Sequence, residues 1–339
     1  MVMRKRRNLA VMIAVIILVV AIVSSSFVYL NSQQNYSGKA ETITFGDLGV
    51  DSSELVYVAQ NQHYFQQNGI NFVLQNFETS TQASNAVLSN EVDLATSGEY
   101  TIVASAMANQ NMSIIANMDK YQGVYLIANK GQGIESVSDL VGKKIGVVFQ
   151  SLKEYYLGSF LDTNGLSINN VTMVNVAPSQ WVSSIANGTV DAVVVSQNYI
   201  SQIQTALSNN TIVWQVQGNQ AAYALIFGTT NWVTQNPDLV NRFLKSLTQA
   251  ENFLIQNPTI AKAILQTRFN YTAAYLTQDW PNHQFSLSLD QSLVLSMEEE
   301  ARWALSNNLT NATEVPNFIN YIYVNGLESV KPESVSIIS

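Results

Sequence analysis

The residues best placed for chemistry gather at one corner. The segment VGKKIGVVFQSLKEYYLGSFLDTNG, residues 141–165, reads as a buried strand, Ile145 to Phe149, running into a helix from about Leu152. Gln150 and Ser151 form the turn, and no glycine stands between Gly146 and Gly158. A glycine-rich turn here would cradle phosphate. A turn of Gln, Ser and Lys offers something else. The first N–H groups of a helix lack intrahelical partners and carry partial positive charge, which suits an anion. Ser151 is able to donate its hydroxyl or to cap the helix. Lys153, in the first turn, sits unfavourably against the helix dipole unless an anion accompanies it. The plainer reading is a capping serine, a solvent-facing lysine and Glu154 as an ordinary first-turn acid.

Other candidates stand at the ends of short apolar runs. Alternating strand and helix patterns begin at Glu41: Ile43–Phe45, a helix over 55–67 after the Ser52-Ser53-Glu54 cap, Asn71–Gln75, a helix from Gln82 to Leu88, and Asp93–Thr96. That order predicts a mostly parallel sheet with helices on both faces. Three loops then share one edge: 49–53, 79–81 and 97–100. They offer Asp51, Ser52, Ser80, Thr81, Ser97 and Gly98, as hydroxyls, a carboxylate for an amine, or helix caps. AVLSNEVDLATSGEY (86–100) echoes SIANGTVDAVVVSQNY (184–199), each a helix end, Asn, Val-Asp, a short strand, Ser and a closing Tyr. Two α/β units built alike follow from the echo. They set Tyr100 and Tyr199 at matching positions, facing one cleft from opposite sides or packing at a hinge. Gln197, Asn198 and Trp181, after the strand Met173–Val176, are further candidates. Residues 121–130 and 222–230 read as the two crossings. The expected lobes are 41–125 plus 223–339, and 126–222. Ligands in open α/β sheets sit beyond the carboxyl ends of the strands, here between the lobes.

Composition narrows the function. The chain has 339 residues, 47% apolar and 12% charged, with net charge −8 and no cysteine. Arg4, Lys5, Arg6 and Arg7 supply four of its 16 basic residues, so the rest is more acidic still and nucleic acid is not an expected partner. Disulfides, thiolate metal sites and a cysteine-linked lipid are excluded. The two histidines, His63 in a helix and His283 in the turn after Trp280-Pro281-Asn282, are far apart, and neither a metal site nor a cofactor is expected. No nucleophile elbow or phosphate-binding loop occurs. Glu298-Glu299-Glu300 reads as one exposed helical turn.

The basic stretch at 4–7 precedes the apolar run Leu9–Val23 and then Phe27–Leu30. Basic residues ahead of an apolar run place the remainder of the chain outside the cell. The run serves as a retained membrane anchor or a cleaved signal peptide, with residues 31–40 as a polar linker. Eight Asn-x-Ser/Thr sequons, from Asn35 to Asn311, all follow it, which matches export or an Asn- and Ser-rich composition alone.

At this point the chain resembles a known family, the substrate-binding proteins of ABC importers in the nitrate/sulfonate/taurine group, which includes binders of pyrimidine thiamine precursors. The resemblance rests on LVYVAQNQHYFQQNGINFVLQNF, AVLSNEVDLA, SVSDLVGKKIGVVFQSLKEYYLGSFLDTNGL and ANGTVDAVVVSQNY, in that order and spacing. It implies a two-lobed periplasmic-binding-protein-like α/β fold (type II) with two crossover segments, a small-molecule ligand, a permease partner and a monomer. The strand-to-helix corner departs from the family's Gly-Ser or Gly-Thr, and Ser196-Gln197-Asn198-Tyr199 replaces a Trp-Glu-Pro-Tyr-like ending. The substrate therefore does not carry over. The expected activity is delivery of a small anionic or zwitterionic solute to the permease. Alternatives are a thiamine-precursor binder, a tethered sensor and, last, a pyrimidine-synthase-like enzyme dependent on a histidine and pyridoxal.

Overall fold

The computed structural model describes residues 36–218 and 220–338. The N-terminal apolar run and the sequon at Asn35 lie outside the described residues. Among those described, no helix is long and apolar enough to cross a membrane.

Eleven strands form two sheets. They are β1 (Glu41–Asp47), β2 (Ile70–Asn76), β3 (Leu94–Gly98), β4 (Met112–Tyr121), β5 (Val124–Asn129), β6 (Lys144–Val147), β7 (Thr172–Asn175), β8 (Ala192–Ser196), β9 (Thr211–Gln215), β10 (Ala222–Thr229) and β11 (His283–Ser288). The first sheet runs β11-β4-β10-β3-β1-β2, the second β7-β6-β8-β5-β9. The expected parallel pairing holds for β1 with β2 and β3, and for β6 with β7 and β8. β4, β5, β9, β10 and β11 pair antiparallel instead, so each sheet is mixed. The chain enters the second sheet between Tyr121 and Val124 and returns between Gln215 and Ala222. The apolar segments read as crossings are thus strands of one sheet each, and short links before them make the crossings.

The internal echo is structural. β3 and β8 hold corresponding positions, each between a parallel strand and an antiparallel one. Their Val-Asp pairs do the same work in both units. Asp93 accepts from Thr44 N at 2.7 Å and Asp191 from Lys144 N at 2.8 Å, tying each strand to its parallel neighbour. β8 is buried on both faces, with Ala192 and Val194 on the main core and Val193 and Val195 on the second. The helix Pro237–Gln256 starts with proline at its first turn and packs Leu239, Val240, Phe243, Leu244, Leu247 and Ala250 against the first sheet.

Two local expectations are corrected. The helix over 55–67 breaks into Glu54–Asn61 and Tyr64–Gln67 because His63 adopts φ 59°, a left-handed turn. Glu300 is not part of an exposed turn. It is fully buried, while Glu299 is exposed.

Candidate functional site

A cavity of about 470 Å³ opens between the two sheets' strand ends. From the first lobe, β1 ends at Asp47, which accepts from Gly49 N (2.9 Å), Ser53 Oγ (2.7 Å) and the Tyr57 hydroxyl. Gly49 takes φ 64°, so the loop can double back and present Asp51 and Ser52 to the cavity. Thr79 caps the helix Ser80–Leu88 through a reciprocal bond with Gln82, which leaves Ser80 on the rim. Ser97 and Gly98 end β3 at the cavity wall. Gly98 is closely approached by Leu152 of the opposite lobe: a Cβ there would stand 2.6 Å from Leu152 Cδ1.

From the second lobe comes the helix Leu152–Thr163 with its Ser151 cap residue. Ser151 makes no side-chain cap bond. Its hydroxyl donates to Val148 O at 2.6 Å, and Glu154 accepts from Gln150 N at 2.8 Å instead. Glu154 is therefore the buried brace of the corner rather than an ordinary exposed acid. Lys153 is half-buried and lines the cavity, with Nζ 5.4 Å from the Trp181 ring centroid. Burial pulls its pKa down to about 8, against the pull of Asp51 across the cavity. Trp181 is 2% exposed. It donates Nε1–H to Val176 O and sits edge-on to Tyr199, both rings reaching the cavity. Asn198 lines it too, as does Tyr271.

Four candidates fall elsewhere. Tyr100 does not face Tyr199 across the cleft. β3 passes straight into the helix Glu99–Met107, whereas β8 first makes the turn Gln197–Tyr199, so the matched tyrosines point differently. Tyr100 is buried against Tyr155 and Trp303, beside a second cavity that Gln150 also borders. Gln150, at φ 55°, turns the corner and accepts from Thr101 Oγ1 across the lobes. Thr81 buries its hydroxyl away from the cavity. Gln197 joins the lobes, accepting from Tyr125 and from Asn282 at 3.2 Å each. Sequence reasoning missed Tyr121, Tyr271, Glu78 and Ser179 at the cavity. Glu78 accepts from Ser179 N at 2.9 Å and closes one edge, a contact no local pattern announces.

The largest surprise lies behind Asp51. His283 is not in an isolated turn but opens β11, its side chain 5% exposed, with Nδ1 2.6 Å from Asp119 and Nε2 3.2 Å from Asp279. Burial opposes a charge on His283, but the carboxylates hold its pKa well above the usual value. Burial raises Asp51 to about 6, which His283 partly offsets.

Two α/β lobes with a polar, aromatic-lined cleft between them define a periplasmic-binding-protein fold. Among solved structures, the alkanesulfonate-binding protein SsuA from Xanthomonas axonopodis pv. citri bound to MOPS superposes with TM-score 0.73 at 15% identity, over 85% of this chain and 100% of that one. The aliphatic sulphonate-binding SsuA of Escherichia coli gives 0.68 at 15% identity, over 84% and 98%. The chain belongs to the NMT1/THI5-like family, whose model matches residues 52–261. The taurine-binding periplasmic protein of Escherichia coli is 24% identical over 212 residues, 62% of this chain and 66% of that protein. Across the curated relatives it matches, the chain spans half to two thirds of their length (50%, 56% and 66%).

Proposed function

We propose that this chain is an extracytoplasmic solute receptor for an ABC importer, a binder and not an enzyme, that takes a small anionic or zwitterionic solute of the sulfonate kind. One observation carries the reading: Lys153 and the N-terminus of its helix face the interlobe cavity opposite Asp51. The relatives with sulfonates and taurine in their names support it. The lobes, 41–125 with 223–339 and 126–222, close as units on the ligand, and the permease recognises the closed form. Ser52, Ser80, Ser97, Ser151 and Asn198 supply polar contacts, Trp181 and Tyr199 the apolar walls. The N-terminal apolar run tethers the receptor outside the cell, and the exposed sequons carry glycans.

The cavity's tyrosines, Tyr121, Tyr199 and Tyr271, favour a second reading, in which a flat pyrimidine of the thiamine-precursor kind stacks in the cleft. A thermal-shift panel of taurine, alkanesulfonates, nitrate and pyrimidines separates them. At about 100 times its dissociation constant a ligand adds about 2.7 kcal/mol. A sulfonate that raises Tm in the wild type and not in Lys153→Ala confirms the anion seat. A shift with pyrimidines alone overturns it.

A further inference from the structure

Beneath the cavity floor, three carboxylates surround one imidazole. Asp119, fully buried on β4, takes His283 Nδ1 at 2.6 Å and the backbone N–H of Gln284 at 3.0 Å. With Nδ1–H held there, the imidazole turns Nε2 toward Asp279 Oδ2, 3.2 Å away. Asp51, Asp279 and His283 each present one donor atom, all within 4.8 Å of one another. A histidine that anchors its far nitrogen on a carboxylate and aims the near one at further oxygens has the arrangement of a metal ligand with its supporting partner. Bonds of about 2.0–2.2 Å in a tetrahedral set put the ligand atoms about 3.3 Å apart, and His283 Nε2 and Asp279 Oδ2 stand at 3.2 Å.

The cluster is unbalanced without a cation. Tyr275 lies 3.0 Å from Asp51 Oδ2 and 2.9 Å from Asp279 Oδ2, with a single proton for two acceptors. The independent sign is Glu54. It follows Asp51 by three residues, hence on the same face of the turn, and it is fully buried with no partner on either carboxylate oxygen. Asp51, His283 and Asp119 are near enough for their charges to act on it. A buried carboxylate without a partner is costly.

We propose that Asp51, Asp279 and His283 bind a divalent cation of the zinc type, with Asp119 orienting the imidazole. One nitrogen and carboxylate oxygens suit zinc, manganese or cobalt rather than a soft, thiolate-seeking ion. Asp51 also lines the interlobe cavity, so the cluster adjoins it through that residue. The inference stands on the cluster and not on the identity of the solute.

The test uses the full chain, stripped with a chelator, dialysed metal-free and loaded with Zn²⁺ or Co²⁺. Elemental analysis after gel filtration is expected to find one ion per chain, and the Co²⁺ form a visible ligand-field band. Proton NMR of the Co²⁺ form is expected to show one strongly shifted exchangeable ring N–H, that of His283 Nδ1. Asp279→Asn and His283→Gln are expected to abolish retention. The NMR line needs no variant, so the test stands even if neither variant folds. No retained metal, retention undiminished in folded variants, or bound Co²⁺ without the shifted N–H each overturns the assignment.

Discussion

Glu99 and Glu300 meet in the interior of the first lobe, both fully buried. Tyr223 N donates to Glu99 at 2.8 Å, while no donor faces Glu300. No hydrogen bond joins the two carboxyls, and burying them side by side favours a proton held by the pair over two bare charges. Burial and the neighbouring Glu99 raise Glu300 well above the 4.5 of an ordinary glutamate, and burial lifts Glu99 to about 8. The sign follows from linkage. The unfolded chain releases this proton near pH 4.5 and the folded chain keeps it, so stability is full below that pH and falls as pH rises toward the folded value. Each retained proton costs about 1.4 kcal/mol for every pH unit between the unfolded and the folded value. Glu300→Gln supplies a permanent donor to Glu99 and removes that dependence. Relative to wild type it should gain about 1.4 kcal/mol for each pH unit above about 4.5 over which the proton is kept, or about 2 °C in Tm per unit for a chain of this size. Melting curves across the pH series read the difference directly. Equal pH slopes for the two proteins would refute the shared proton.

Lys153 gives a titration of the same sense in binding. Its charge is present below about 8, so affinity for an anionic solute is expected to fall as pH rises through that value, measured by calorimetry. Lys153→Met removes a charge-assisted contact of about 1.5–3 kcal/mol, a loss of about 10- to 100-fold, and abolishes that pH dependence. Trp181→Ala empties a site that is 2% exposed and should cost about 3–5 kcal/mol in denaturant unfolding, along with the seat of Lys153. Gly98→Ala drives a methyl against Leu152 and should cost about 1–3 kcal/mol, whereas adding Leu152→Ala makes room and recovers part of the loss.

Periodicity carried the architecture because burial on a sheet leaves a local imprint. The Val-Asp echo marked β3 and β8, and the apolar run with its helix marked the corner at Ser151, all within a few residues of their neighbours in space. The cavity's near wall was legible for the same reason: a loop at a strand's carboxyl end faces the cleft whatever its sequence. Orientation within an element was not. Tyr100 and Tyr199 match in the echo, yet the single turn Gln197–Tyr199 rotates one toward the cavity and the other stays in the core.

Charge burial was the least legible property, and the reason is physical. Whether Glu300 or His283 is exposed depends on what packs over it from far along the chain, Glu99 in one case, Asp119 in the other. Neither partner lies in a spacing that sequence patterns encode. A run of three glutamates reads as solvated because the usual cost of burying one is prohibitive, and here a proton removes that cost. The same logic runs through the cavity floor, where a proton or a cation must do for Asp51, Glu54 and Asp279 what water does elsewhere. Glu300→Gln and metal loading therefore probe one question at two sites: which positive species this lobe keeps inside to fold around its carboxylates. A lobe held by protons in both places loosens steadily with rising pH, while a lobe with a cation beneath the cleft keeps that end fixed and loosens only around Glu99 and Glu300.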